Sequence, residues 1–149
     1  MKERAIDAPS QSPAPARQAT GGQSGARRPS LRPVNLLAKC ELFDEQWQPR
    51  IVAEVNDYQF KIARVEGEFV WHAHEDTDEA FLVLEGELRI DLPRGSVTLG
   101  PGELYVIPRG VRHRPVAERE TKLMLVEPRG VVNTGDAGGE LTAEGDRWV

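Results

Sequence analysis

Three histidines and one glutamate carry the chemistry this chain can do. His72 and His74 are separated by one residue, Glu79 follows after four more, and His113 is the third and last histidine of the sequence. In an extended strand alternate side chains share a face, so His72 and His74 point to the same side, about 6–7 Å apart. Two such imidazoles can converge on one ion, because metal–nitrogen bonds are about 2 Å long. Glu79 lies across an acidic turn at positions 75–78 and opens the next strand, where it offers a hard oxygen ligand. His113 follows the turn Pro108-Arg109-Gly110 and opens another strand that a closed barrel could bring opposite. Three neutral imidazoles and one carboxylate suit one divalent transition metal, Fe, Mn, Ni, Co or Zn, with one or two positions left for water or substrate.

The elements that must position these residues read as short strands. Apolar runs at 50–56, 58–65, 68–74, 80–92, 96–99, 103–107, 113–117 and 122–127 are separated by Gly, Pro and Asn-Asp punctuation. Strands of this length with turns about every ten residues indicate an all-β sandwich or barrel. Asn56-Asp57 reads as a hairpin turn, and Gly86 as a break or bend within 80–92. Only the stretch 34–43 supports a turn or two of helix.

The spacing of the four ligand candidates resembles the two motifs of the cupin family. The first is Gly67, then His72-Ala73-His74, then Glu79, then Gly86. The second is Gly102, then Pro108-Arg109-Gly110, then His113. Two departures stand out: four rather than five residues follow Gly67, and Ala117 replaces the closing Asn, which is not a ligand in the family. Fifteen residues separate Gly86 from Gly102, as in compact single-domain members. The resemblance spans about 50–130 and implies a double-stranded β-helix, or jelly-roll barrel, with a metal on His72, His74, Glu79 and His113. It also implies a homodimer formed by strand exchange. The ending Glu127-Pro128-Arg129-Gly130 through Asn133-Thr134-Gly135 is similar to small cupins with no assigned activity.

Three regions follow: a Pro/Ser/Gly/Arg-rich tail at 1–33, the barrel at 34–132, and an extension at 133–149 that docks through Trp148 on the barrel or on a partner subunit. The tail has too little apolar surface to offset its ordering entropy and is expected to be disordered. It carries six Lys/Arg against two acids, which leaves 13 basic and 22 acidic residues for the rest. An acidic body excludes a nucleic-acid surface, which needs a basic patch. No apolar run approaches the roughly 18 residues of a membrane span, and positions 1–33 hold no secretory apolar core. Cys40, the single cysteine, has no intrachain partner. These features place the chain in the cytoplasm, with a small molecule as its partner.

Other candidates have plainer readings. Arg112 and Arg114 flank His113 and so face outward if it faces inward, while the direction of Arg109 is open. Lys61 and Arg64 have opposite parity, so only one can face the pocket. Glu75, Asp76 and Asp78 read as a solvated turn, Tyr105 as packing, and Trp47 and Trp71 as core or interface. No Gly-x-Ser-x-Gly or phosphate-loop pattern is present. The function expected is a metalloenzyme of dioxygenase or isomerase type acting on a small organic molecule. The alternatives are a non-catalytic binding or sensing module, and a metal that only braces the fold.

Overall fold

A computed structural model describes residues 32–149; the expected disordered tail lies almost wholly outside them. The elements are α1 (Leu36–Cys40), β1 (Arg50–Val55), β2 (Tyr58–Glu68), β3 (Glu79–Glu85), β4 (Leu88–Leu92), β5 (Gly95–Leu99), β6 (Leu104–Ile107) and β7 (Arg114–Pro128). Asn35 caps α1 by accepting the Ala38 N–H on its side-chain oxygen. All strand pairs are antiparallel, in the order β1-β2-β7-β3-β6, with the β4–β5 hairpin joined through β7. This is the all-β jelly-roll expected.

The strand β7 organises the molecule. It pairs with β2 from Val116 to Pro128, with β3 over its outer half, and with β4 at its start. The apolar runs in the sequence, 113–117 and 122–127, divide it in two at the polar residues 118–121. The structure corrects this: β7 runs unbroken over 15 residues. A register shift in β2 between Val65 and Gly67 takes up the irregularity. Glu120 points outward to Arg64, and Thr121 turns inward to bond the Glu87 carbonyl.

The break at Gly86 has a steric cause. Its φ is +91°, and a Cβ there would lie 2.5 Å from Thr121 Oγ1 and 3.0 Å from Thr121 Cα. Only glycine fits. A second correction concerns 68–74, expected as a strand: β2 already extends to Glu68, and beyond it the pairing thins to the Phe69 N–H bond to the Pro115 carbonyl and an isolated bridge between His72 and His113.

Alternation sorts the barrel. Ala63 and Val65 of β2, Phe81 and Val83 of β3, and Leu123 and Leu125 of β7 face one interior with Trp47 and Phe69. Each large apolar side chain so buried contributes about 1.5–3 kcal/mol. The opposite sheet face carries Val52 and Ile62, covered by Cys40 and Phe43. At the far end of the chain Ile51 N–H donates to Arg147 O and Val149 N–H to Ile51 O, which lays Trp148 beside β1. Among the described residues no helix is long and apolar enough to cross a membrane.

Candidate metal centre

The four residues come from three separate places at one end of the barrel interior. Glu79 is the first residue of β3, His113 immediately precedes β7, and His72 and His74 lie between β2 and β3. His72 and His113 exchange backbone bonds, N–H to O, at 3.0 and 2.9 Å, which aligns their side chains on one face. Their rings lie 4.2 Å apart between centroids, and the His74 ring is 5.1 Å from His72. One ligand atom from each of the four residues falls within 4.8 Å of every other, and all four residues are buried.

Hydrogen bonding fixes which ring atom faces the centre. Nδ1–H of His72 donates to the Val70 carbonyl at 3.0 Å, and Nδ1–H of His113 to the Val111 carbonyl at 2.9 Å. Each Nε2 is then a lone pair aimed inward, the tautomer that metal-bound histidines adopt. His72 Nε2 and His74 Nε2 are buried without a hydrogen-bond partner. His74 Nε2 does lie 3.3 Å from Glu79 Oε2, though off hydrogen-bonding alignment. His113 Nε2 lies 3.1 Å from the same oxygen. With Nδ1–H committed to Val111, a hydrogen bond across that contact needs a second proton on the His113 ring, and a neutral ring sets a lone pair against the carboxylate. Buried ring nitrogens without a hydrogen-bond partner are costly, and a cation among the four ligand atoms relieves them. The residues present therefore fit a divalent metal.

The electrostatics agree. Burial pushes the His72 imidazole down to about 4, and neighbouring His113 adds to the effect, so His72 is neutral at ordinary pH. Burial would raise the Glu79 carboxyl, but His113 and His74 outweigh it and hold it near 2. For His74, burial is outweighed by Glu79, which raises its pKa.

Beside His72 and Glu79 lies an apolar cavity lined by Trp47, Phe69, Phe81, Leu123 and Leu125, with a volume of about 30 Å³. That holds about one water. A larger cavity of about 390 Å³ lies under residues 130–146 and is lined by Ile51 and Lys61. The two share Pro49 and Asn133.

The other candidates are now placed. Lys61 faces inward and is paired with Glu127 at 2.8 Å, both buried, while Arg64 faces outward to Glu120 and Asp44. Arg114 turns away to Asp91 and Glu68, and Arg112 to the Trp71 carbonyl. Arg109 closes on Asp78 at the surface. Trp47 is core and stacks on Phe69, whereas Trp71 is partly exposed under Arg114. Glu127 was missed, although its parity with Leu123 and Leu125 marks it as inward-facing. Burial, then Glu79, raises its carboxyl to about 7 against the pull of Lys61. Asp136, whose carboxylate accepts the Ala73 N–H, carries no sequence signal at all.

The family profile of the Cupin domain matches residues 60–128. The chain is 38% identical over 94 residues to the uncharacterized protein YdbB of Bacillus subtilis (strain 168), an alignment covering 62% of this chain and 83% of that protein. It is 55% identical to a cupin-2 domain-containing protein of Shewanella frigidimarina NCIMB 400 of known crystal structure. That match covers 64% of this chain and 94% of the other, with a TM-score of 0.64. A hydroquinone 1,2-dioxygenase from Sphingomonas sp. TTNP3, solved with 4-hydroxybenzoate bound, is 27% identical with a TM-score of 0.59. Here 63% of this chain aligns with 31% of the dioxygenase, less than a third of its length.

Proposed function

The chain belongs to the cupin family, and we propose that it is a metal-dependent enzyme acting on a small organic molecule, with His72, His74, Glu79 and His113 holding one divalent ion of Fe, Mn, Ni, Co or Zn. The observation that carries this reading is the convergence of inward lone pairs and one carboxylate, with two Nε2 atoms left without any partner. When bound, such an ion supplies Lewis acidity or, as iron, redox chemistry with O₂. The chain's own residues hold the tautomers through Val70 and Val111, keep His72 neutral, and surround the centre with an apolar wall that restricts water.

Dioxygenase-type chemistry stands ahead of isomerase-type chemistry, supported by the similarity to the hydroquinone 1,2-dioxygenase at 27% identity. The experiment is O₂ uptake by the iron-loaded chain with hydroquinone and related phenols, and sugar-phosphate isomerisation, each against the H72A/H74A double variant. Metal-dependent turnover lost in the double variant is expected. Absence of turnover across a broad panel by fully loaded protein would transfer the site to a second reading, a non-catalytic small-molecule binding or sensing module. In either reading the cavity of about 30 Å³ beside the cluster must open to seat an organic molecule.

The protein acts as a homodimer in this account. Supporting this, edge strand β6 exposes Leu104 and Val106, and the β1–β2 hairpin exposes Val55 and Tyr58. Its acidic body and single buried thiol, Cys40, support a cytoplasmic location with neither nucleic acid nor membrane as partner.

A further inference from the structure

The segment that carries two of the four ligands belongs to no strand, yet both its edges are bonded. On one edge His72 is paired with His113, and the His74 carbonyl accepts the Gly110 N–H at 2.8 Å. On the other edge Ala73 N–H donates to Asp136 Oδ1 at 2.8 Å, and Asp136 N–H donates to the Ala73 carbonyl at 3.1 Å. Ala73 is the residue between the two histidines, so this two-point contact fixes the peptide units on which both imidazoles hang. The approach is close: at Gly135, where φ is +49°, a Cβ would overlap the Ala73 carbonyl oxygen and lie 3.3 Å from His72 Cδ2.

The turn is itself anchored in the barrel. Thr134 is fully buried, with its hydroxyl 2.8 Å from that of Thr142. The Asn133 side chain donates to the carbonyls of Trp47 and Leu141 and accepts the Ala143 N–H. A turn held this firmly can transmit its position to the histidines. The Asp136 carboxylate, kept ionised chiefly by the Ala73 N–H, also places negative charge near His72 and His74.

We infer that Asp136 is a positioning residue of the metal centre, setting the spacing of His72 and His74 through its paired backbone bonds to Ala73. The inference rests on the metal reading given above. Partners outside the ligand set that orient the ligands typically contribute 10–100-fold in metal affinity, and Asp136 acts on two ligands at once.

The test is titration of metal-free wild-type, D136N and D136A chains with Co(II), followed by the visible absorption of the bound ion and by thermal melting of each metal-free form. D136A, which loses the acceptor for Ala73, is expected to bind about 10–100-fold more weakly, with shifted absorption bands. D136N keeps an oxygen for the Ala73 N–H and is expected to stay within about threefold of wild type, the size of an exposed charge effect. Wild-type affinity and spectrum in D136A would overturn the inference, as would a D136N as weak as D136A. Should D136A fail to fold, amide hydrogen exchange of wild type decides: Ala73 N–H is expected to exchange slowly, and fast exchange in the Co(II)-loaded chain overturns the clamp. A wild-type chain that takes up no Co(II) sinks the metal reading and this inference together. Uptake by wild type with undiminished uptake by D136A sinks only the clamp.

Discussion

At His72, burial and hydrogen bonding leave the ring in the form the proposed metal centre requires. Its Nδ1–H is spent on the Val70 carbonyl and its Nε2 is left bare in the interior. Burial lowers its pKa to about 4, so no proton need be displaced at neutral pH. The linkage has a definite sign. The unfolded chain binds a proton at His72 near 6.5 and the metal-free folded chain only near 4, so this group favours unfolding as pH falls between those values. Over that window its contribution reaches about 3 kcal/mol of lost stability. Unfolding free energies of metal-free wild type and H72Q should therefore diverge in pH slope below pH 6.5, with wild type the steeper. Parallel slopes would contradict the assignment, as would an imidazole NMR titration of His72 near 6.5.

At the scale of elements, the proposed ligands depend on two strands and on a segment that is neither. Leu123 on β7 lies in the wall behind His72 and Glu79, and L123A should cost about 2–5 kcal/mol in denaturant unfolding. G86A should cost about 1–3 kcal/mol or more, because it forces a positive φ on alanine while its methyl meets the Thr121 backbone. Wild-type stability in G86A would contradict the steric account of the β3–β4 break. Turn residues and alternation made most of this legible in the sequence: the hairpin at Asn56-Asp57, the break at Gly86 and the opposite directions of Lys61 and Arg64 all follow from local rules. What escaped has a common cause. The polar stretch Glu118-Arg119-Glu120 interrupts the apolar pattern, but Glu120 is paired with Arg64 on a neighbouring strand, 56 positions away. The His72–His74 segment has the alternation of a strand, but its second edge is supplied by Asp136, 63 positions from Ala73. Local pattern says that both imidazoles share a face; it does not say what holds them there.

Across the whole molecule, the sheet presents one face to the barrel interior and leaves apolar residues on the outside. Leu104 is 60% exposed and Val106 49% exposed on the edge strand β6, next to Leu82 and Ala80 in register. An unpaired edge with outward apolar side chains invites a second copy. The double variant L104E/V106K should shift the chain from dimer to monomer in sedimentation velocity, while leaving the metal content of each chain unchanged. A monomeric wild type would remove the dimer from the account without touching the metal centre. That centre is the central claim, and metal content tests it most directly. Elemental analysis of full-length protein purified without added metal should find about one divalent transition-metal ion per chain in wild type, and almost none in H72A/H74A of the same fold by circular dichroism. Equal metal in both proteins would contradict the assignment of His72, His74, Glu79 and His113 as the ligands.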